Sequence, residues 1–67
     1  MMNLEDLAKF ERMLNGMRER TLSRIEELKI KFPNETFPSK EEIEEYSPAK
    51  MMKYHLKITE RLSEYKV

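Results

Sequence analysis

The chain has 67 residues with no cysteine and one histidine, and its thirteen basic and thirteen acidic residues sum to zero net charge. One small domain is therefore the upper limit, and disulfide bonds and cysteine-based metal sites are excluded as means of stabilising it. The zero net charge also excludes a global electrostatic field that would attract nucleic acid or an anionic membrane.

Hydropathy and residue usage predict the compartment. No apolar run approaches the roughly 18 residues of a membrane span, and the amino terminus lacks the basic-then-apolar order of a signal peptide. We therefore expect an intracellular, cytoplasmic protein without membrane contact. Twelve glutamates and eight lysines dominate the polar residues while glutamine is absent, a usage typical of heat-adapted proteins.

The first predicted element is a helix over about residues 4–31. Apolar residues and one threonine recur in it at steps of three and four, which places them on one stripe of a helix. Asn3 is suited to cap its start, and the Phe32-Pro33 step ends it. Asn15-Gly16 is a turn signal, but the stripe keeps its phase on both sides and favours a continuous helix over a break. The stripe consists of Leu4, Leu7, Phe10, Leu14, Met17, Thr21, Ile25, Leu28 and Phe32.

The elements that follow are a loop and two further helices. Residues 32–38 contain two Phe-Pro steps, which predict a rigid loop held by its aromatic side chains; the alternative is a proline-aromatic ligand for another domain. Ser39 with Glu42 forms a capping box that begins a short acidic helix over about residues 40–46. Ser47-Pro48 begins a helix over about residues 48–66. The apolar line of this last helix is Met51, His55, Ile58, Leu62 and Tyr65.

These elements predict one all-α domain over residues 1–67, built as an antiparallel helical hairpin. A helix of about 29 residues spans roughly 43 Å and one of about 19 spans roughly 28 Å, so the hairpin leaves the stripe uncovered near the amino terminus. Uncovered apolar surface of this kind marks a partner site. We expect a second copy or another protein to complete a helical bundle there. The predicted partner-binding residues are Leu4, Leu7, Phe10, Met13, Leu14 and Met17.

Two methionines lie at the edges of the apolar stripes. Met13 flanks the stripe of the first helix and Met52 flanks that of the last. Flexible thioether side chains suit adaptable contact surfaces. Both positions therefore favour contact with a partner helix.

The inventory of reactive groups predicts a protein that is not an enzyme, with no catalytic residues, cofactor or metal. The chain has no glycine-rich phosphate loop and no pairing of nucleophile and base with a familiar spacing. His55 lies on the apolar line, where we interpret it as a boundary residue that hydrogen-bonds a neighbour; the alternative is a proton-transfer or metal-binding role. The glutamates of residues 41–45 splay around the helix axis, which favours a solvated acidic face over a cation site.

Basic residues offer an alternative function. A row on the last helix opposite its apolar line suits contact with phosphates, although Glu60 and Glu64 lie on the same face. The leading hypothesis remains a non-enzymatic protein–protein interaction module that acts as a homo-oligomer or as an accessory subunit of a larger complex. The alternative is a nucleic-acid-associated subunit. The residues predicted for that contact are Lys50, Lys53, Lys57 and Arg61.

Overall fold

A computed structural model describes residues 3–66. Three α-helices and no strand are formed by these residues: α1 over Leu4–Lys31, α2 over Lys40–Glu44 and α3 over Pro48–Lys66. The predicted all-α class is therefore confirmed for this part of the chain. α1 continues through Gly16 without a break, as the constant phase of its stripe predicts.

Side-chain caps begin each helix where the sequence predicts. The backbone N–H of Asp6 donates to Asn3 Oδ1 at 2.8 Å, and Ser39 Oγ accepts from the N–H of Glu42 at 3.2 Å. These bonds satisfy N–H groups that a helix start leaves without partners. α2 is shorter than predicted because the N–H of Glu45 bonds to the carbonyl of Glu42, which tightens and ends the helix after one turn.

The direction of α3 corrects the predicted antiparallel hairpin. Thr21 shares a hydrogen bond with His55, and Lys31 Nζ lies 5.3 Å from the ring centre of Tyr65. Both pairs are separated by 34 residues, so the residue numbers rise together along the two helices. α1 and α3 therefore run in the same direction, and the antiparallel hairpin is wrong.

The physical reason is the path of the chain between the two helices. The N–H of Glu35 bonds to the carbonyl of Phe32 at 3.0 Å and reverses the chain beyond α1. Residues 36–39 then run outside any helix, with a reach of about 13 Å, and α2 adds about 7 Å. Arg18 Nη2 donates to the carbonyl of Tyr46 at 3.3 Å. The connection thus returns to the middle of α1 before α3 begins.

The core forms between the two long helices. The buried stripe of α1 faces that of α3, and α2 contributes one buried side chain, Ile43. Thr21 is the buried polar member and bonds to His55. The buried residues are Leu14, Met17, Thr21, Ile25, Leu28, Ile43, Met51, Ile58 and Leu62.

The first third of α1 extends beyond α3. The 34-residue offset places Pro48 level with Leu14, so no helix within residues 3–66 lies beside residues 4–13. We call residues 4–13 the amino-terminal extension. The 28 residues of α1 measure about 42 Å, which matches the longest dimension of the molecule, 43 Å.

Candidate interaction surface

The amino-terminal extension exposes apolar side chains that the sequence predicts to bind a partner. Leu4 is 86% exposed, Leu7 43% and Met13 45%. Phe10 is partly buried against the core. The extension therefore continues the apolar stripe of α1 into solvent.

The other two predicted partner-binding residues are buried within this chain. Leu14 is 8% exposed and Met17 9% exposed, and both belong to the core of the same chain. The reason is that α3 begins at their level and covers them. The candidate surface is therefore confined to the extension.

One residue of the basic row of α3 holds residues 32–39, the linker between α1 and α2, in place. The Arg61 guanidinium makes a bidentate ion pair with Glu35, which lowers the pKa of that carboxyl mainly through the hydrogen bonds. It also lies over the rings of Phe32 and Phe37, with 4.8 Å and 5.7 Å to the ring centres. Arg61 therefore has a structural role, which competes with the predicted phosphate contact.

The other members of the row are exposed, although one has an aromatic neighbour. Lys50 Nζ lies 4.4 Å from the centre of the Tyr46 ring, while Lys53 and Lys57 extend into solvent. Nucleic-acid contact through these lysines stays a prediction. Without Arg61 the row is shorter than the sequence indicates.

One side of the α1–α3 pair is covered by the returning chain. Arg18 of α1 bonds to Tyr46, and Leu22 borders the groove between α1 and α2. On α3, Tyr54 packs edge-on against Tyr46 with 5.8 Å between ring centres, and burial raises the pKa of Tyr54 to about 12.

The opposite side of the pair is left uncovered by the part of the chain that the structure describes. On α1, Arg20 and Arg24 lie on the flank of the buried stripe away from Arg18. On α3, Met52 is 45% exposed and Leu56 60% exposed. We call this side the open face. Its members are Arg20, Arg24, Met52, His55, Leu56 and Thr59.

Some polar groups of the open face lie near positive charges, and others lack hydrogen bonds within the described structure. His55 Nδ1 lies 3.3 Å from the Thr21 hydroxyl. The pKa of His55 is lowered by burial first, and then by the positive charges of Arg24 and Arg20. Arg24 Nη1 and Thr59 Oγ1 are buried without a hydrogen-bond partner in the described structure. Around His55 the open face is therefore basic as well as partly apolar.

Sequence reasoning found this face only in part. The edge position of Met52 indicates contact beyond the predicted pair of helices, but Arg20 and Arg24 look like members of a salt-bridged surface because glutamates surround them in sequence. The signal that sequence reasoning missed is their helical phase, which places both arginines on the same flank as Met13.

We expect His55 to make stability depend on pH. Its folded-state pKa lies below the ordinary value of 6.5, so the unfolded chain binds this proton more tightly. The contribution is therefore fully present above the ordinary value and is lost as the pH falls through the lowered folded-state pKa. Thermal unfolding followed by circular dichroism from about pH 5 to 8 measures it. The His55→Gln variant should lack this step, and an unchanged pH profile in that variant would contradict the assignment.

The described residues define the class of the molecule as a small all-α domain of three helices. Residues 3–66 bring together no group of three His, Asp or Glu side chains suited to hold a metal ion. Within the same part of the chain, neither long helix is apolar enough to cross a bilayer. Comparison with protein-family models, with curated proteins and with solved structures found no match. The function is therefore inferred from the geometry of the chain.

Proposed function

We propose that this protein is a non-enzymatic protein–protein interaction module that docks through its amino-terminal extension, as a homo-oligomer or as an accessory subunit. The observation that carries the proposal is the interrupted cover of one stripe. Leu7 and Phe10 continue the phase of Leu14 and Met17. The first residue of α3, however, lies level with Leu14, so α3 does not cover Leu7 and Phe10. A helix that presents its apolar stripe beyond its own core provides the anchors of helix-in-groove recognition.

The energetic reason is the exposed apolar area of the extension. Burying a leucine side chain that was exposed stabilises a complex by about 1.5–3 kcal/mol. Leu4, which is 86% exposed, provides nearly all of one such side chain, and Leu7, which is 43% exposed, provides part of another one helical turn away on the same side of α1. Large exposed apolar side chains so arranged typically mark an interaction site.

A charge placed on the stripe tests the proposal. We expect Leu7→Glu to weaken association at least tenfold, which is about 1.4 kcal/mol, and to leave α1 helical because Leu7 lies outside the core. Light scattering on a sizing column over a range of concentrations measures the mass, and circular dichroism measures the helix content.

The control is Arg12→Glu, which also places a glutamate in the extension but on the exposed side of α1 opposite the stripe. Association that is equally strong in the native chain and in Leu7→Glu would contradict the proposal. Amide hydrogens of the extension that exchange as slowly in a monomer as those of the core would also contradict it, because nothing would remain to be covered.

A further inference from the structure

We propose that the occupant of the amino-terminal extension is the open face of a second copy of this chain, bound reciprocally in an antiparallel dimer. This inference rests on the proposed function and names its partner. Each chain supplies one extension and one open face, so a dimer with a twofold axis covers the extension and the open face of both copies. The extension becomes the third helix beside α1 and α3 of the other copy.

The position of the twofold axis follows from the start of α3. Pro48 is level with Leu14, and α3 covers the stripe of α1 from there to its carboxyl end. In an antiparallel pair of α1 helices with the axis near Met13, the two α3 helices lie end to end without overlap. The α3 helix of the second copy then occupies the place beside the extension that its own α3 does not reach.

This register places exposed apolar side chains of the two copies at the same level along the helices. With the axis at Met13, residue i of one α1 helix lies level with residue 26 − i of the other. The 34-residue offset then places Leu4 level with Leu56 of the second copy, and Leu7 within one residue of Met52. Met13 meets its own counterpart on the axis. Each of these side chains is at least 43% exposed in the single chain.

Charge complementarity supports the same register. Asp6 of the extension lies level with Arg20 of the second copy, on flanks of α1 that face each other across the dimer. Arg20 and Arg24 place two positive charges beside His55, and Arg24 Nη1 is buried without a hydrogen-bond partner among the described residues. An acidic side chain from a second copy meets this basic surface.

The exposed area of the chain has the size that such a dimer needs. The accessible surface is 5312 Å², whereas a folded monomer of 8.2 kDa exposes about 4,500 Å². The excess of about 800 Å² equals the surface that each partner buries in an interface of standard size.

Cross-linking on the twofold axis tests the arrangement directly. The chain has no cysteine, so Met13→Cys introduces a single thiol that meets its counterpart in the dimer. We expect it to form a disulfide-linked dimer at least ten times faster under mild oxidation than Arg12→Cys, whose thiol lies away from the axis. Equal rates for the two variants, or the mass of one chain at every concentration up to about 1 mM, would overturn the proposal.

Charge reversal provides a second test, one that does not rest on the apolar contacts. Asp6→Lys and Arg20→Glu are each expected to weaken the dimer about tenfold, because twofold symmetry places two like-charge contacts in each variant dimer. The double variant should restore the affinity to within about threefold of the native chain, because both contacts are again of opposite charge. A double variant whose loss of dimer affinity equals the two single losses combined would overturn this register.

The two proposals fail in different ways. Loss of association in Leu7→Glu, together with equal cross-linking of Met13→Cys and Arg12→Cys, would support the extension as the docking surface and remove the open face as its occupant. A native chain that associates, with a Leu7→Glu variant that associates equally strongly, would remove the proposed function itself, whereas a native chain that stays a single copy would remove only the dimer.

Discussion

Leu28→Ala is expected to lower the free energy of unfolding by about 3 kcal/mol. Leu28 is fully buried between α1 and α3, so truncation removes buried methyl groups and leaves a cavity. The core of a chain this short supplies only about 3–5 kcal/mol. Most of the stability should therefore be lost, and urea unfolding followed by circular dichroism at one fixed chain concentration measures the change.

The matched control for Leu28→Ala is Ile30→Ala. Ile30 lies in the same helix, two residues along, and is 77% exposed. Its truncation should change the free energy of unfolding by less than about 0.5 kcal/mol. Similar losses in both variants would contradict the assignment of Leu28 to the core and of Ile30 to the surface.

Ile43→Ala is expected to release α2 from the rest of the molecule. Ile43 is the one buried residue of α2, and its truncation should lower the free energy of unfolding by about 3 kcal/mol. In a domain of this size each kcal/mol lowers the midpoint of thermal unfolding by about 4–8 °C. Differential scanning calorimetry measures the midpoint, and limited proteolysis should show faster cleavage within residues 32–47.

Glu41→Ala is the control for Ile43→Ala, because it removes an exposed side chain from the same turn of helix. It should leave both the midpoint and the rate of cleavage close to those of the native chain. Equal cleavage of Ile43→Ala and the native chain would show that the linker, through Glu35 and Arg61, holds this segment without α2.

The candidate surface was predictable from the sequence only as far as one helix determines it. The phase of Leu4, Leu7 and Met13 depends on α1 alone, and these residues are exposed in the structure. The burial of Leu14 and Met17 depends on where α3 begins relative to α1. The spacing of apolar residues within one helix does not determine this position. The open face depends on which side the linker and α2 cover, and this too is decided by the path of the chain.

The sequence by itself determined the local structure of this protein. Spacings of three and four define both stripes, Asn3 and Ser39 cap helices because their side chains satisfy backbone N–H groups, and Pro33 ends α1 by excluding the residue before it from helical geometry. Only the tertiary structure decided the direction of α3. The sixteen residues between α1 and α3 are enough to form a turn that leaves the two helices antiparallel. They are also enough to run back along α1 and leave the two helices parallel. The choice between them is made by contacts distant in sequence, such as Arg61 with Glu35 and Ile43 with the core.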